Sequence, residues 1–471
     1  MAERLYSLDE LPSVTSGEVY PVPGFSDGDI FSVVIDSREA VPGCLFVPLK
    51  GERTDGHLYI EEAFSRGGRI SFVDRAFWVL HREALRSCAA RFRAAFVIVD
   101  SSLAALQSMA ARFLAGRRAF RIGISGSSGK TTTKEITGCI LSQAAPSFMN
   151  RGNLNSEIGL PLSVFEMRGE PLYAVFEMGM NHAGEMDVLA ALVRPQAALI
   201  TNIGSAHIGE LGSRERIAEE KRKLFLALPA GGFAYAYEGD EYFDFLRRGV
   251  KAMVLPFGES STGDFICRED LGLGGYVLSL GGKSVRFPLP GLYNLRNAMG
   301  AVSLARGLGI GEGEIRAGLE AVKPLFGRGQ IFRGEVTVLQ DCYNANPDSM
   351  AGAILFLSSL DWSGRKIAAL GSMKELGEAS SDAHRDMGAL LVRSGFAGVF
   401  LFGEEMEEAY LWLTENRFSG SLHWYGDFEE LRAALEEFTV PGDIVLVKGS
   451  RSMAMERLTG ALCGERGAVH A

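Results

Sequence analysis

Short apolar runs closed by polar turns recur along this chain. Phe31 to Ile35 is one, followed by the turn Asp36-Ser37-Arg38. Cys44 to Leu49 is a second, leading into Lys50-Gly51-Glu52-Arg53-Thr54-Asp55-Gly56-His57, and Phe96 to Val99 is a third. Runs of this length between turns and helical stretches predict strands in α/β packing. Leu103 to Leu114 has apolar residues at helical spacing and predicts a connector helix. A second block opens with a strand at Phe120 to Ile124, a Gly-rich loop and a helix from about Thr131. It continues with strands at Tyr173 to Phe176 and Ala197 to Ile203. A third block follows Pro324-Leu325-Phe326-Gly327. Its strands are Val336 to Leu339, Ile367 to Leu370, Val399 to Phe402 and Ile444 to Val447, with a helical pattern at Asp427 to Phe438. Alternating strands and helices predict mostly parallel sheets. The third block reads as a doubly wound domain, whose ligands sit beyond the carboxyl ends of its strands.

Length supports three domains, since 471 residues is about three times the usual domain size. The expected boundaries are 1–102, 103–326 and 327–471, all α/β. Hydrophobic residues make up 47% and charged residues 23%, which is enough apolar material for large cores. The formal net charge of -10 argues against nucleic acid or an anionic membrane as the main partner. Six cysteines without a CxxC pair read as reduced thiols of a cytoplasmic protein. The start, MAERLYSLDE, does not read as a signal peptide, and no stretch approaches the roughly 20 apolar residues of a membrane span.

The strongest chemical signal is Gly123-Ile124-Ser125-Gly126-Ser127-Ser128-Gly129-Lys130-Thr131-Thr132-Thr133, placed between strand and helix. Glycine lets backbone N–H groups turn inward around a phosphate, and the helix N-terminus adds partial positive charge. Lys130 supplies a full charge to the β/γ-phosphates, and the Thr131 hydroxyl is a candidate magnesium ligand. Gly126, Ser127, Ser128, Gly129, Lys130, Thr131 and Thr132 are the candidate ATP-binding residues. Ile124 stands where the strict GxxxxGK[ST] motif has its first glycine, so the match is GxxGKT opening at Gly126. The plain alternative is a glycine turn that only caps a helix. The order strand, loop, Lys-Thr, helix argues against it.

Tyr173-Ala174-Val175-Phe176-Glu177 is an apolar strand ending in an acid. In phosphate-loop proteins such an acid commonly holds magnesium. His207, in Thr201-Asn202-Ile203-Gly204-Ser205-Ala206-His207, follows another apolar strand, and with Glu177 it is a candidate ligand of a second metal. Lys221 lies in Ile217-Ala218-Glu219-Glu220-Lys221-Arg222-Lys223, whose default reading is a solvated helix face with charge pairs.

Taken together these motifs resemble the Mur ligase family over about residues 31 to 457. Further stretches carry the resemblance. They include Asn150-Arg151-Gly152-Asn153-Leu154-Asn155-Ser156-Glu157-Ile158-Gly159, Tyr293-Asn294-Leu295-Arg296-Asn297, Gly327-Arg328 and Asp341-Cys342-Tyr343-Asn344-Ala345-Asn346-Pro347-Asp348-Ser349-Met350. Gly371-Ser372-Met373-Lys374-Glu375-Leu376-Gly377 and Val447-Lys448-Gly449-Ser450-Arg451 complete the set. The Tyr343 to Met350 stretch is specific to the branch that appends D-alanyl-D-alanine.

The resemblance implies an N-terminal UDP-binding domain, a central phosphate-loop ATPase domain and a C-terminal Rossmann-like domain. It implies ATP, two Mg²⁺ ions, UDP-N-acetylmuramoyl-tripeptide and D-alanyl-D-alanine as partners; a monomer is the default expectation. Ser37 and Arg38 would lie near the UDP-sugar, with a surface turn as the alternative. Asn153 and Asn155 would lie near the muramoyl-peptide and phosphates. Asn294 and Asn297 would contact adenine; the alternative for Asn294 is a helix cap. Arg328 would reach the γ-phosphate, Asp341 would face the nucleotide, and Asn344 and Asn346 would receive the dipeptide. Lys221 would be carbamylated and hold magnesium. Two features depart from the pattern: Ser125 and Ser128 stand where Thr and Asn are common, and the Arg-rich Phe77 to Arg93 reads as an insertion. The implied chemistry is attack of a carboxylate on the γ-phosphorus, then attack of the dipeptide amine on the acyl phosphate. The rival readings are a sibling amide ligase, a phosphate-loop switch or transport ATPase, and a substrate-binding pseudoenzyme. The first domain argues against a folate ligase. A switch leaves Asn344 and Asn346 unexplained. Intact Lys130, Thr131, Glu177 and His207 argue against a pseudoenzyme.

Overall fold

The computed structural model describes residues 3–20, 25, 28–51 and 53–463. Glu52 of the polar run before His57, and the first two residues of the chain, lie outside them. Packing divides the chain into two units. The first takes Met1–Gly123, Pro146–Met180 and Glu185–Pro195; the second takes Ile124–Ala145, Asn181–Gly184 and Gln196–Ala471.

In the first unit, β1 (Glu18–Tyr20), β2 (Ser32–Val34), β3 (Cys44–Phe46), β4 (Ile70–Asp74) and β5 (Ala95–Val99) form one sheet in the order β1-β5-β4-β3-β2. Only β1 runs antiparallel. All five residues of β5 are buried, as expected of a strand covered on both faces. Helices α1 (Ile60–Ser65), α2 (Arg75–Phe92) and α3 (Ser102–Ala115) belong to this part. The Arg-rich stretch from Phe77 is most of α2, kinked at His81. Trp78, Leu85 and Ala89 join the core of Phe46, Phe64 and Phe96. The helix's charges go outward, with Arg75 3.0 Å from Asp100 and Arg91 2.5 Å from Glu61. This stretch therefore covers the sheet rather than reshaping a loop. The strand β6 (Phe120–Ser125) begins in the first unit and ends in the second. β7 (Ser147–Met149) and β8 (Tyr173–Glu177) pair in parallel.

The second unit opens with α4 (Lys130–Ala144). β9 (Ala197–Ile200), β10 (Phe233–Tyr237) and β11 (Met253–Phe257) run parallel, and α5 (Arg214–Leu226) connects the first two. The strand expected to reach Ile203 stops at Ile200, because the backbone beyond it bonds to the phosphate loop instead. β12 (Ile266–Asp270), β13 (Tyr276–Leu280) and β14 (Lys283–Phe287) form an antiparallel meander. Helices α6 (Leu292–Gly307) and α7 (Glu312–Ala321) follow.

The last sheet contains β15 (Gln330–Phe332), β16 (Thr337–Gln340), β17 (Lys366–Gly371), β18 (Gly398–Phe402), β19 (Ser421–Tyr425) and β20 (Ile444–Lys448). Its order is β15-β16-β20-β17-β18-β19, parallel except for β15. Alternate residues of β20 enter opposite cores. Ile444 and Leu446 pack with Ile354 and Leu391, while Val445 and Val447 pack with Leu431 and Leu435. Helices α8 (Pro347–Ser359), α9 (Ser380–Val392), α10 (Glu407–Glu415) and α11 (Phe428–Phe438) cover the faces. Asp427 starts α11 by accepting from the amides of Glu429 (2.8 Å) and Glu430 (3.0 Å), which offsets two orphan donors.

Gly318 sets the contact between α7 and α4. A Cβ there would lie 2.3 Å from Cα of Ile140. Alanine favours a helix over glycine by about 1 kcal/mol, but overpacking costs about 1–3 kcal/mol. The obstacle is backbone, so strain should win. Gly318→Ala is expected to lower the melting temperature by ~2–4 °C per kcal/mol of strain. A calorimetric scan that shows an unchanged or higher midpoint would refute this packing argument.

Candidate active site

The phosphate loop follows β6 directly. Ile124 is fully buried in that strand, which explains why the turn opens only at Gly126. Gly126 has φ 145°, and a Cβ there would fall 1.8 Å from Oγ1 of Thr201. Gly129 has φ 79°, and a Cβ there would fall 2.3 Å from Oδ1 of Asn297. Only glycine serves at both positions, because of backbone conformation and of space. The loop is held by the residues after β9. The Thr201 amide donates to the Ser125 carbonyl (2.9 Å) and the Ser127 amide to the Asn202 carbonyl (3.0 Å). The Ser128 amide donates to Oδ1 of Asn202 (3.0 Å), and the Gly204 amide to Oγ of Ser127 (2.8 Å). The Thr201 hydroxyl donates to the Ser128 carbonyl (2.5 Å).

Lys130 opens α4, and its ammonium donates to the carbonyls of Gly126 (2.7 Å) and Ser127 (3.3 Å). It is thus held over the turn that would receive phosphate oxygens. Thr131 is buried at the start of the same helix, and Thr132 is half-buried.

Lys221 overturns its default reading. It is fully buried on α5, and its amine has no hydrogen-bond partner. Burial, reinforced by the like charge of Lys130, holds its pKa well below the lysine range; Glu220 acts the other way. Glu220 is itself engaged, accepting from the Gly184 amide (2.9 Å) and lying 2.7 Å from Lys223.

His207 has a left-handed φ of 64°, and its Nδ1 faces Oε2 of Glu375 at 2.9 Å. The imidazole holds the Glu375 carboxyl below its usual range, against the effect of burial. Nδ1 is thus turned toward the carboxylate, which leaves Nε2 as the ring nitrogen open to a ligand. Asp240 further fixes this region, accepting from the amides of Ile203 (2.7 Å) and Tyr242 (2.9 Å). Burial nevertheless pushes its carboxyl above the usual range.

In α6, Asn294 and Asn297 are buried, and Nδ2 of Asn297 donates to Oδ1 of Asn294 (3.3 Å). Nδ2 of Asn294 donates to the Pro290 carbonyl (2.7 Å). The cap reading of Asn294 fails: Gly291 is the N-cap, and Asn294 lies within the helix. The Gly129 contact brings this pair against the phosphate loop.

Arg328 places its guanidinium 4.0 Å from the ring centre of Tyr343. The Tyr343 amide donates to the Gly327 carbonyl (2.9 Å), so the linker is fastened to the strand end. Asp341 receives the buried Lys448 ammonium at 2.7 Å. The Asn344 side chain is exposed and accepts from the Ala345 amide (2.8 Å). Asn346 caps α8, accepting from the Ser349 amide (2.8 Å), with Pro347 at the first helical position.

The first unit holds the other candidates. Glu177 ends β8 almost fully buried, and Nδ2 of Asn155 donates to its Oε1 at 2.6 Å. Asn150 accepts from the Glu177 amide at 2.8 Å. Asn155 thus orients the acid, while Asn153 is exposed. Ser37 is buried and donates to Glu62 (2.8 Å). Arg38 is exposed and pairs with Asp36 at 2.6 Å, which lowers the Asp36 carboxyl to about 2. Sequence reading missed Asn150, Asn202, Asp240 and the role of Glu375. Each acts through a backbone amide or a distant partner, which leaves no local pattern.

The sequence matches three family models: the Mur ligase family catalytic domain over residues 29–114, the Mur ligase middle domain over 124–305, and the Mur ligase glutamate ligase domain over 327–451. A UDP-N-acetylmuramoyl-tripeptide–D-alanyl-D-alanine ligase of Treponema pallidum is 38% identical, covering 98% of this chain and 100% of that protein. A crystal structure of MurF from Acinetobacter baumannii matches with TM-score 0.85 at 30% identity, over 98% of this chain and 99% of that one. MurF ligase from Thermotoga maritima in complex with ADP matches with TM-score 0.76 at 28% identity, over 92% and 96%.

Gly126→Ala tests the loop geometry. The added methyl must displace Thr201 while adopting a conformation that costs about 1–3 kcal/mol. ATP affinity by calorimetry is expected to fall about tenfold or more, with unchanged circular dichroism. Wild-type affinity in this variant would contradict the geometry.

Proposed function

The chain belongs to the Mur ligase family, and we propose that it works as follows within it. It is an ATP-dependent ligase that joins D-alanyl-D-alanine to UDP-N-acetylmuramoyl-tripeptide in peptidoglycan synthesis. The observation that carries this reading is the sealed, unpaired amine of Lys221 within electrostatic reach of the phosphate-loop lysine. A plain phosphate-binding switch offers no use for such a residue, whereas a buried amine with a lowered pKa can take up CO₂ as a carbamate.

A free carboxylate resists amines because oxide is a poor leaving group. The terminal carboxylate of the tripeptide attacks the γ-phosphorus, the bond to the bridging oxygen breaks, and ADP leaves. The dipeptide amine, after losing a proton, attacks the acyl carbon, and phosphate departs with the bonding electrons. Positioning and charge neutralisation supply most of the acceleration. Lys130 and Arg328 offset charge on the transferring group. Gly126, Ser127, Ser128, Gly129 and Thr132 wrap the phosphates, Asn294 and Asn297 receive the adenine, and Asp341 faces the nucleotide. Ser37, Arg38, Asn153 and Asn155 serve the UDP-muramoyl substrate. Asn344 serves the dipeptide, and Asn346 serves it through the turn that it caps.

We propose Thr131, Glu177, His207 and Lys221 as the residues that would hold magnesium. Thr131 offers a buried hydroxyl, Glu177 a carboxylate already oriented by Asn155, and His207 its Nε2. Lys221 offers an amine whose carbamate would be anionic. Bound magnesium neutralises the phosphate oxygens during transfer. We place the reaction in the cytoplasm, where ATP is available, and take the enzyme as a monomer. Among the described residues no helix is long and apolar enough to cross a membrane.

Two measurements test this reading. With UDP-N-acetylmuramoyl-tripeptide, ATP and magnesium, phosphate release should require D-alanyl-D-alanine and should not respond to single amino acids. Phosphate release that ignores the acceptor would instead indicate a simple ATPase. Separately, ¹³C-bicarbonate should give a carbamate resonance in the wild-type protein that is missing in Lys221→Ala. The same resonance in both proteins would remove Lys221 from the role.

A further inference from the structure

We propose that Asp348 is a positioning residue that ties the dipeptide-side turn at the head of α8 to the segment that holds the phosphate loop. The proposal rests on the ligase reading above. Asp348 lies in the first turn of α8, where Asn346 already provides the cap. Its carboxylate is therefore available elsewhere. Oδ2 accepts the backbone amide of Ser205 at 2.8 Å, a contact across 143 positions of sequence. Gly204 makes the approach possible, since a Cβ there would lie 2.2 Å from Oδ2 of Asp348.

The same segment is gripped a second time. The Gly209 amide donates to the Glu375 carbonyl (3.1 Å), and a Cβ on Gly377 would lie 2.9 Å from Cα of Gly209. At its other end the segment holds the phosphate loop through Asn202 and Gly204. The path from Ser127 through Gly204 and Ser205 to Asp348 thus uses backbone groups and one of the shortest carboxylate side chains. Few rotatable bonds separate the phosphate loop from the Asn344–Asn346 turn. That stiffness suits the second step, in which the amine must meet the acyl carbon before water does. Misplacement by about 1 Å can cost up to roughly a hundredfold in rate. Asp348 has no role in the first step, because its carboxylate points at Ser205 and not into the phosphate loop.

Hydroxylamine separates the two steps. It captures the acyl phosphate as a hydroxamate and, being small, needs no docking by α8. In full-length Asp348→Ala, dipeptide ligation should fall about tenfold or more, with a raised KM for D-alanyl-D-alanine. The KM for ATP and the hydroxamate rate should stay within about twofold of wild type. Asp348→Asn keeps an acceptor oxygen and should recover most of the ligation. Three results would overturn the proposal: wild-type ligation in Asp348→Ala, a parallel fall in hydroxamate, or no rescue by Asp348→Asn. Failure of the wild-type enzyme to ligate the dipeptide would instead sink the ligase reading itself.

Discussion

The backbone after β9 cannot continue as a strand, because its hydrogen-bonding groups serve other partners. Thr201, Asn202 and Gly204 bind the phosphate loop, while Ser205 and Gly209 bind Asp348 and Glu375. A buried amide left without a partner costs about 1–3 kcal/mol, so the commitments of the buried Thr201 and Gly204 are hard to abandon. They also explain the two glycines of the loop. Close approach of Thr201 and Asn297 excludes any side chain at Gly126 and Gly129. The geometry that receives phosphate is therefore set from outside the loop, by neighbours more than 70 residues away in sequence.

Lys221 adds an electrostatic constraint. An ammonium sealed from water and lacking hydrogen bonds is costly, so burial lowers the pKa of the group. Lys130 nearby pushes the same way. The effect is to keep a buried amine close to Lys130 of the phosphate loop. Glu177 is prepared differently: Asn155 and Asn150 fix its carboxylate and backbone, so its orientation is set in advance. In both residues, neighbours set the electrostatics or the direction of the side chain before any substrate arrives.

Much of this was legible in the sequence. β20 was readable almost to the residue, because a strand buried on both faces must be apolar throughout. The phosphate loop was readable because its chemistry demands glycine and Lys-Thr in fixed order. Lys221 was not, since Glu-Glu-Lys-Arg-Lys looks solvated. A signal was nevertheless present: Ile217, Lys221, Leu224 and Phe225 share the buried stripe of α5, so Lys221 occupies a core position. The strand end at Ile200 and the pairing of Asp348 with Ser205 had no local signal. Both are fixed by partners far along the chain. The alternative of Asn294 as a cap fails because its helix starts earlier, at a glycine.

The central claim is that ATP activates the tripeptide carboxylate by direct phosphoryl transfer. Substrate carrying ¹⁸O in that terminal carboxylate provides the most direct measurement. Mass spectrometry of the phosphate released during ligation should find one labelled oxygen transferred from the carboxylate. Phosphate that carries only unlabelled oxygen, while the dipeptide is still being joined, would contradict it.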